Sequence, residues 1–268
     1  MRFARRAAFA VLVAWLALAL LADVLPLAPN AVDLPGILAA PGADRWLGRD
    51  DLGRAVAARL VQGAQVSLLV SLLVVALTAS FGTALGLVAG WRGGLVDLLL
   101  MRVTDLFLAF PGILLAIALA GVLGPGLGNV VLALGAVGWV GFARLARAQT
   151  LALRARDHVQ VAHALGQPPR VIVLRHVLPL LAGPLIVEAS FAAAATVVAE
   201  AGLSFLGLGV QPPTPSWGSM LRDGARYLLV APHLVLVPGL ALASLVVALN
   251  LLGDALRDRL DPRAVRLH

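Results

Sequence analysis

Long apolar runs separated by short polar segments set the rhythm of this chain. Six runs approach the roughly 20 residues that a helix needs to cross a hydrocarbon core of about 30 Å. They are Ala7–Leu25, Val66–Gly90, Val96–Leu123, Leu127–Ala143, Leu185–Leu208 and Leu234–Leu252. The third contains Phe110-Pro111-Gly112, which predicts a kink. The fourth is short and glycine-rich, and the fifth is interrupted by Glu188 and Glu200. Two polar connections, Pro26–Gln65 and Gly209–Pro232, are rich in turn formers and predict short helices and turns rather than separate domains.

Composition agrees with this pattern. The 268 residues are 60% hydrophobic and 13% charged, where a soluble domain carries about 25% charged residues. An all-α integral membrane protein with about six transmembrane helices is the expected fold class. Cysteine is absent, which excludes disulfides, thiolate metal sites and cysteine nucleophiles. Arg2, Arg5 and Arg6 ahead of the first run resemble the start of a signal peptide, but the length of that run favours an uncleaved first helix.

All 21 basic residues are arginines, and their placement reports orientation. With the N-terminus cytoplasmic, six spans return the C-terminus to the cytoplasm. The inner segments then hold Arg2, Arg5, Arg6, Arg92, Arg102, Arg144, Arg147, Arg154, Arg156, Arg170, Arg175, Arg257, Arg259, Arg263 and Arg266. The outer segments hold Arg45, Arg49, Arg54, Arg59, Arg222 and Arg226, so the excess lies inside. A multi-pass membrane protein with both termini cytoplasmic and no nucleic-acid partner is expected.

The segment Arg144–Pro179, RLARAQTLALRARDHVQVAHALGQPPRVIVLRHVLP, then faces the cytoplasm. Asp157 reads as a helix N-cap and Gly166 as a helix stop, followed by Pro168-Pro169. Between them HVQVAHAL predicts a short helix of small and medium side chains, able to enter a groove on another protein closely. A second helix over Val171–Val177 is expected to end at Leu178-Pro179. A solvated loop whose arginines only enforce topology would explain Arg144, Arg147, Arg154 and Arg156, but not the capped helix and the ordered return.

This segment resembles the EAA loop of permease subunits in ATP-binding-cassette importers: Glu-Ala-Ala, three residues, Gly, nine residues, Ile, one residue, Leu-Pro. Gln160, Val161, Ala162, Gly166, His176 and Leu178-Pro179 fit that spacing. Gln160 stands for Glu, Val161 for Ala and His176 for Ile, so weakened or altered docking is expected. The resemblance implies that Val159, Gln160, Val161, Ala162, His163, Ala164, Leu165 and Gly166 form a coupling helix seated in a cleft of an ATPase subunit. LSFLGLGVQPPTPSWGSML (Leu203–Leu221), LGRDDLGR (Leu47–Arg54), MRVTDLFLAFPGILLAIALA (Met101–Ala120) and LNLLGDALRDRLDPR (Leu249–Arg263) resemble the second, C-type permease of the peptide and nickel branch. Arg49 and Ala55 depart from that branch, which usually has Thr and Asp there.

The resemblance implies a type I importer permease fold, with residues 1–65 as first helix plus outer loop. Residues 66–268 form the permease core, and its cytoplasmic loop covers residues 144–180. It implies a related second permease, two ATPase subunits that carry ATP and Mg, and an extracytoplasmic binding protein. This chain binds no cofactor and no metal in that reading. The expected function is translocation of a small solute by alternating access, with di- or oligopeptide first and nickel second. A secondary transporter or channel working without an ATPase is the alternative. Lacking a P-loop, a GxGxxG and a Ser-His-Asp signature, the chain is not expected to be an enzyme.

Ionisable residues inside spans usually face a bundle interior or a water-filled path. Glu188 and Glu200 lie twelve residues apart, about 18 Å along a helix. Glu200 reads either as an interfacial residue bonded to a neighbouring helix or as part of the translocation path. Glu188 reads as a snorkelling or interfacial residue. Asp105, just after Arg102, suggests an ion pair or local capping. Asp50-Asp51 suggests loop capping before a divalent site. His158 and His163 stand about 140° apart on a helix and do not make a metalloprotease pair.

Overall fold

The computed structural model describes residues 2–260; Arg263, Arg266 and the end of the C-terminal motif lie outside the described residues. The described residues are helical, with α1 (Arg2–Leu21), α2 (Val56–Arg92), α3 (Gly94–Leu108), α4 (Gly112–Leu123) and α5 (Leu127–Arg154) in the first half. Then follow α6 (Asp157–Ala164), α7 (Pro169–Ile172), a π turn (Val173–Val177), α8 (Leu178–Phe205), α9 (Trp217–Ala225) and α10 (His233–Leu260). Five stretches are long and apolar enough to cross a membrane, and the bent α3–α4 pair makes a sixth if it is one span.

Several boundaries differ from the hydropathy reading. The second helix begins at Val56, ten residues before the apolar run, because Val56, Leu60 and Ala64 repeat every fourth residue and are buried in a core. At 37 residues it is about 55 Å long, more than a bilayer core requires. The fifth helix runs on to Arg154, its extension held by buried Ala146, Thr150 and Leu153. The helix beginning at Pro169 does not stop at Leu178-Pro179; Pro169–Phe205 is one 37-residue stretch. A π turn accommodates the proline. Leu178 N–H reaches back five residues to the Val173 carbonyl, just ahead of the ring that cannot donate.

The kink expected at Phe110-Pro111-Gly112 is a break of 84° between α3 and α4. Pro111 restricts the residue before it and starts a new helix, its carbonyl accepting from Leu114 and Leu115 N–H at 2.9 and 3.2 Å.

The chain divides into two compact units. One draws on the chain up to Leu73, on Ile117–Leu134 and on Ala193–Leu252. The other draws on Val74–Ala116, Gly135–Ala192 and the chain from Gly253. In the first unit Trp217 is fully buried. Its indole N–H donates to the Leu60 carbonyl at 3.0 Å, and its ring meets Trp15 edge-on at 5.0 Å. Trp15 donates in turn to Ser244 Oγ at 2.9 Å, which ties α1 to α10. A capping box between Ser216 and Ser219 starts α9.

The second unit is organised by a glycine ladder. Gly82, Gly86 and Gly90, one turn apart on α2, face the carbonyls of Trp139, Ala143 and Arg147, one turn apart on α5. A methyl group at Gly82 or Gly86 would collide with the facing backbone, so the two helices approach as closely as helices can. Trp139 then packs edge-on between Phe81 and Phe107, at 5.5 and 5.4 Å.

Candidate functional site: a short helix beside an arginine-braced cleft

The short helix α6 is defined at both ends by backbone geometry. Its N-cap is Arg156, in extended conformation without a side-chain cap, so Asp157 is not the cap but the first helical residue. Its carboxylate stands in the first turn, where the positive end of the helix dipole favours it. At the other end Gly166 adopts φ +77°, a left-handed conformation that costs a residue with Cβ. Gly166 N–H donates to His163 O at 3.0 Å, and Gln167 N–H to Ala162 O at 3.2 Å. These are the paired bonds of a Schellman ending. The proposed stop residue is thus in place, one residue past the C-cap Leu165.

Burial divides the eight candidate coupling residues. Val159 and Ala162 are buried, packed with Ala146, Leu153, Ile172, Val177 and Leu181. Gln160, Val161, His163, Ala164, Leu165 and Gly166 are exposed. Leu165 is 75% exposed, an apolar side chain at the tip of a helix with nothing of its own unit to cover it. One face therefore fastens the helix and the opposite face is presented outward.

A cleft of about 470 Å³ opens beside this helix, lined by Trp91, Arg154, Val159, Gln160, His163 and Ala164. Arg154 braces it. Its guanidinium lies over the Trp91 ring, 5.8 Å from the centroid, and donates to the Gly90 carbonyl at 2.9 Å. One helical repeat earlier on α5, Arg147 forms a two-pronged ion pair with Asp97 of α3; its Nη2 is 2.6 Å from Oδ2, and Nε meets Oδ1. Two of the four arginines that a topology-only loop would explain, Arg147 and Arg154, thus tie α5 to neighbouring helices. Their seven-residue spacing places them on one face and was the available signal. Asp97 gave none, because nothing in sequence links α3 to α5. His158 and His176 also meet here, ring centroids 6.4 Å apart. His176, at the off-pattern isoleucine position, faces the start of α6.

The glutamates differ sharply. Glu200 is fully buried. Its carboxylate accepts from Ser204 Oγ at 2.6 Å and from Ser67 Oγ of α2 at 3.1 Å, and the Ser216 hydroxyl also acts on it. It bridges helices and in this conformation is closed off from solvent. Glu188 is half-buried and leans across Gly141 of α5, where a built Cβ would stand 3.0 Å from its Oε1. Asp50 is a loop cap: Oδ1 accepts from Leu52 and Arg54 N–H at 3.0 and 2.8 Å. Its Oδ2 pairs with Arg54 at 2.7 Å and Arg59 at 3.3 Å. Among the described residues no cluster of three or more potential metal ligands occurs.

Known proteins resemble this chain over most of its length. Residues 82–266 match the family model described as binding-protein-dependent transport system inner membrane component. A glutathione transport system permease protein, GsiD, of Pectobacterium atrosepticum is 41% identical over 88% of this chain and 78% of its own. The dipeptide transport system permease protein DppC of Alkalihalophilus pseudofirmus is 42% identical over 84% of this chain and 74% of its own. GsiD of Escherichia coli O6:K15:H31 is 43% identical over 88% and 78%. Among solved structures, a chain of the MetNI methionine ABC transporter, from a study of its inward-facing conformations, aligns with a TM-score of 0.59. That alignment has 19% identity over 75% of this chain and 95% of that one, which establishes the shared fold. With a family model covering more than half its length and relatives above 40% identity, the chain belongs to the binding-protein-dependent transport system inner membrane components.

Proposed function

We propose that this permease carries short peptides or glutathione-like peptides inward, driven by ATP hydrolysed on separate subunits. The observation that carries the motor half of this reading is α6. It is a short helix ended by a Schellman turn, fastened by Val159 and Ala162 and presenting Gln160, Val161, His163, Ala164 and Leu165 outward beside a cleft. Such a helix transmits motion because it is rigid toward its own unit and free toward a partner. ATP binding draws two ATPase subunits together, α6 moves with them, and α5 and α8 follow through the shared core of Ala146, Leu153, Ile172, Val177 and Leu181. Arg154 and Trp91 shape one wall of the seat.

In this reading a related second permease completes the path and a loaded binding protein delivers cargo from outside. The excess of arginines in the inner segments supports cytoplasmic termini and a cytoplasmic α6. Peptide cargo is supported by the names of the relatives; nickel is the less favoured cargo. The test is purification of the tagged chain from a cell that encodes its whole operon. A co-purifying ATPase, lost on Gly166→Asp, supports the reading. Solute uptake by the chain alone in liposomes, without ATP, would sink it.

A further inference from the structure

Among the charged side chains of the second unit that make no ion pair, Glu188 and Arg144 lie close together. Among the described residues neither Glu188 nor Arg144 makes a hydrogen bond or an ion pair. Glu188 lies on the 37-residue stretch Pro169–Phe205, nine residues past Pro179 and within the apolar run that begins at Leu185. An ionisable side chain inside a span usually faces water or protein rather than lipid. Its own helix agrees. Glu188 lies on the side of its helix that packs inward, near Leu181 and Leu185 of the core cluster, whereas Ile186 on another side is 49% exposed.

On the facing part of α5, Gly141, Arg144 and Ala148 form an exposed stripe at helical spacing, with small residues on either side of the arginine. The Glu188 carboxylate leans over Gly141, and Arg144 follows one turn on, about 4.5 Å along the axis. An acid and a base are thus set about a turn apart, Glu188 half-buried and Arg144 exposed, with no ion pair between them.

We propose that Glu188 and Arg144 receive the two ends of a zwitterionic cargo, the Glu188 carboxylate taking the ammonium group and the Arg144 guanidinium the carboxylate. The termini of an extended dipeptide stand about 7 Å apart, within reach of one helical turn plus two flexible side chains. Glycine at position 141 lets the glutamate carboxylate lie close against α5, since a Cβ there would stand 3.0 Å from Oε1 and make it give way. Glu200 takes no part, its oxygens being used by serine hydroxyls. This assignment rests on the reading of the chain as a peptide permease.

The absence of cysteine allows a clean test on the complete transporter, reconstituted with its second permease, ATPases and binding protein. Glu188→Cys is expected to react with a water-soluble thiol reagent, and saturating dialanine is expected to slow that reaction about tenfold, while Ile186→Cys is not protected. Glu188→Gln is expected to lower dialanine uptake about tenfold, the worth of one charged hydrogen bond, with binding-protein-stimulated ATP hydrolysis kept within about twofold. Glu188→Asp is expected to recover most of the uptake. Unprotected or unreactive Glu188→Cys, unchanged uptake by Glu188→Gln, or ATP hydrolysis falling in step with uptake would overturn the assignment. A wild-type assembly that hydrolyses ATP but moves no peptide would overturn the peptide reading and this site together. A wild-type assembly that moves dialanine with Glu188→Gln unimpaired would overturn this site alone.

Discussion

Arg154 lies over the face of Trp91 and donates to the carbonyl of the residue before it, Gly90, so one side chain of α5 clamps the end of α2. The clamp forms a wall of the cleft beside α6. Arg154→Lys keeps the charge but loses the planar stack and the fixed fork. It is expected to weaken attachment of the ATPase about fivefold or more in a pull-down titration, since an exposed cation–π contact is worth about 0.5–1 kcal/mol and a charged hydrogen bond more. Binding equal to wild type would show that the cleft is not part of the seat.

Arg147 and Asp97 make the complementary tie from α5 to α3. Both side chains are partly exposed, so the pair is valued below a buried one, at about 1 kcal/mol or somewhat more for its two-pronged geometry. A double-mutant cycle with Arg147→Gln and Asp97→Asn, read by thermal unfolding in detergent, should give a coupling energy of that order, with the double variant close to either single one. Additive effects would mean that the two side chains do not interact.

The glycine ladder predicts a sign reversal. Alanine is the better helix former by about 1 kcal/mol, so Gly→Ala on a free helix face is neutral or stabilising. Gly121 of α4 has open space around it and is expected to behave so. At Gly86 the added methyl meets the Ala143 backbone, and Gly86→Ala is expected to destabilise by about 1–3 kcal/mol. Equal unfolding temperatures for the two variants would contradict the close approach of α2 and α5.

Glu200 predicts a contrast between isosteres. Glu200→Gln keeps the shape and one acceptor oxygen, and its NH2 can donate to the other serine hydroxyl once that hydroxyl turns to accept, so it is expected to change stability little. Glu200→Leu strands the buried hydroxyls and is expected to cost about 2–3 kcal/mol. If Glu200→Gln abolished transport in a normally stable protein, the residue would have a part in the path and not only in holding α2 to α8.

Much of the fold was legible because lipid demands it. Apolar run length found the core of each span, and the glycine stop of α6 was readable because its φ of +77° suits glycine. Boundaries were less so: the extensions Val56–Gln65 and Arg144–Arg154 are amphipathic rather than apolar, and what makes them helical is burial of one face against distant segments. Pro179 read as a terminator since a π turn leaves no mark in composition. The two compact units join separated segments, which reading along the chain does not group. At the site, the motif spacing located α6 but not which of its residues are fastened, nor the Trp91–Arg154 wall, since those depend on α2 and α5 meeting.

The central claim is that α6 couples this permease to a separate motor, and Gly166 tests it most directly. A side chain at Gly166 must adopt the left-handed conformation, and Gly166→Asp adds a charge beside the exposed Leu165. The measurement is ATP-dependent peptide uptake by the reconstituted transporter, alongside recovery of the ATPase with the tagged permease. Gly166→Asp is expected to leave the permease in the membrane at normal level while ATPase recovery and uptake fall together, by about tenfold or more. Normal uptake by the variant, or uptake that never depended on ATP, would contradict it.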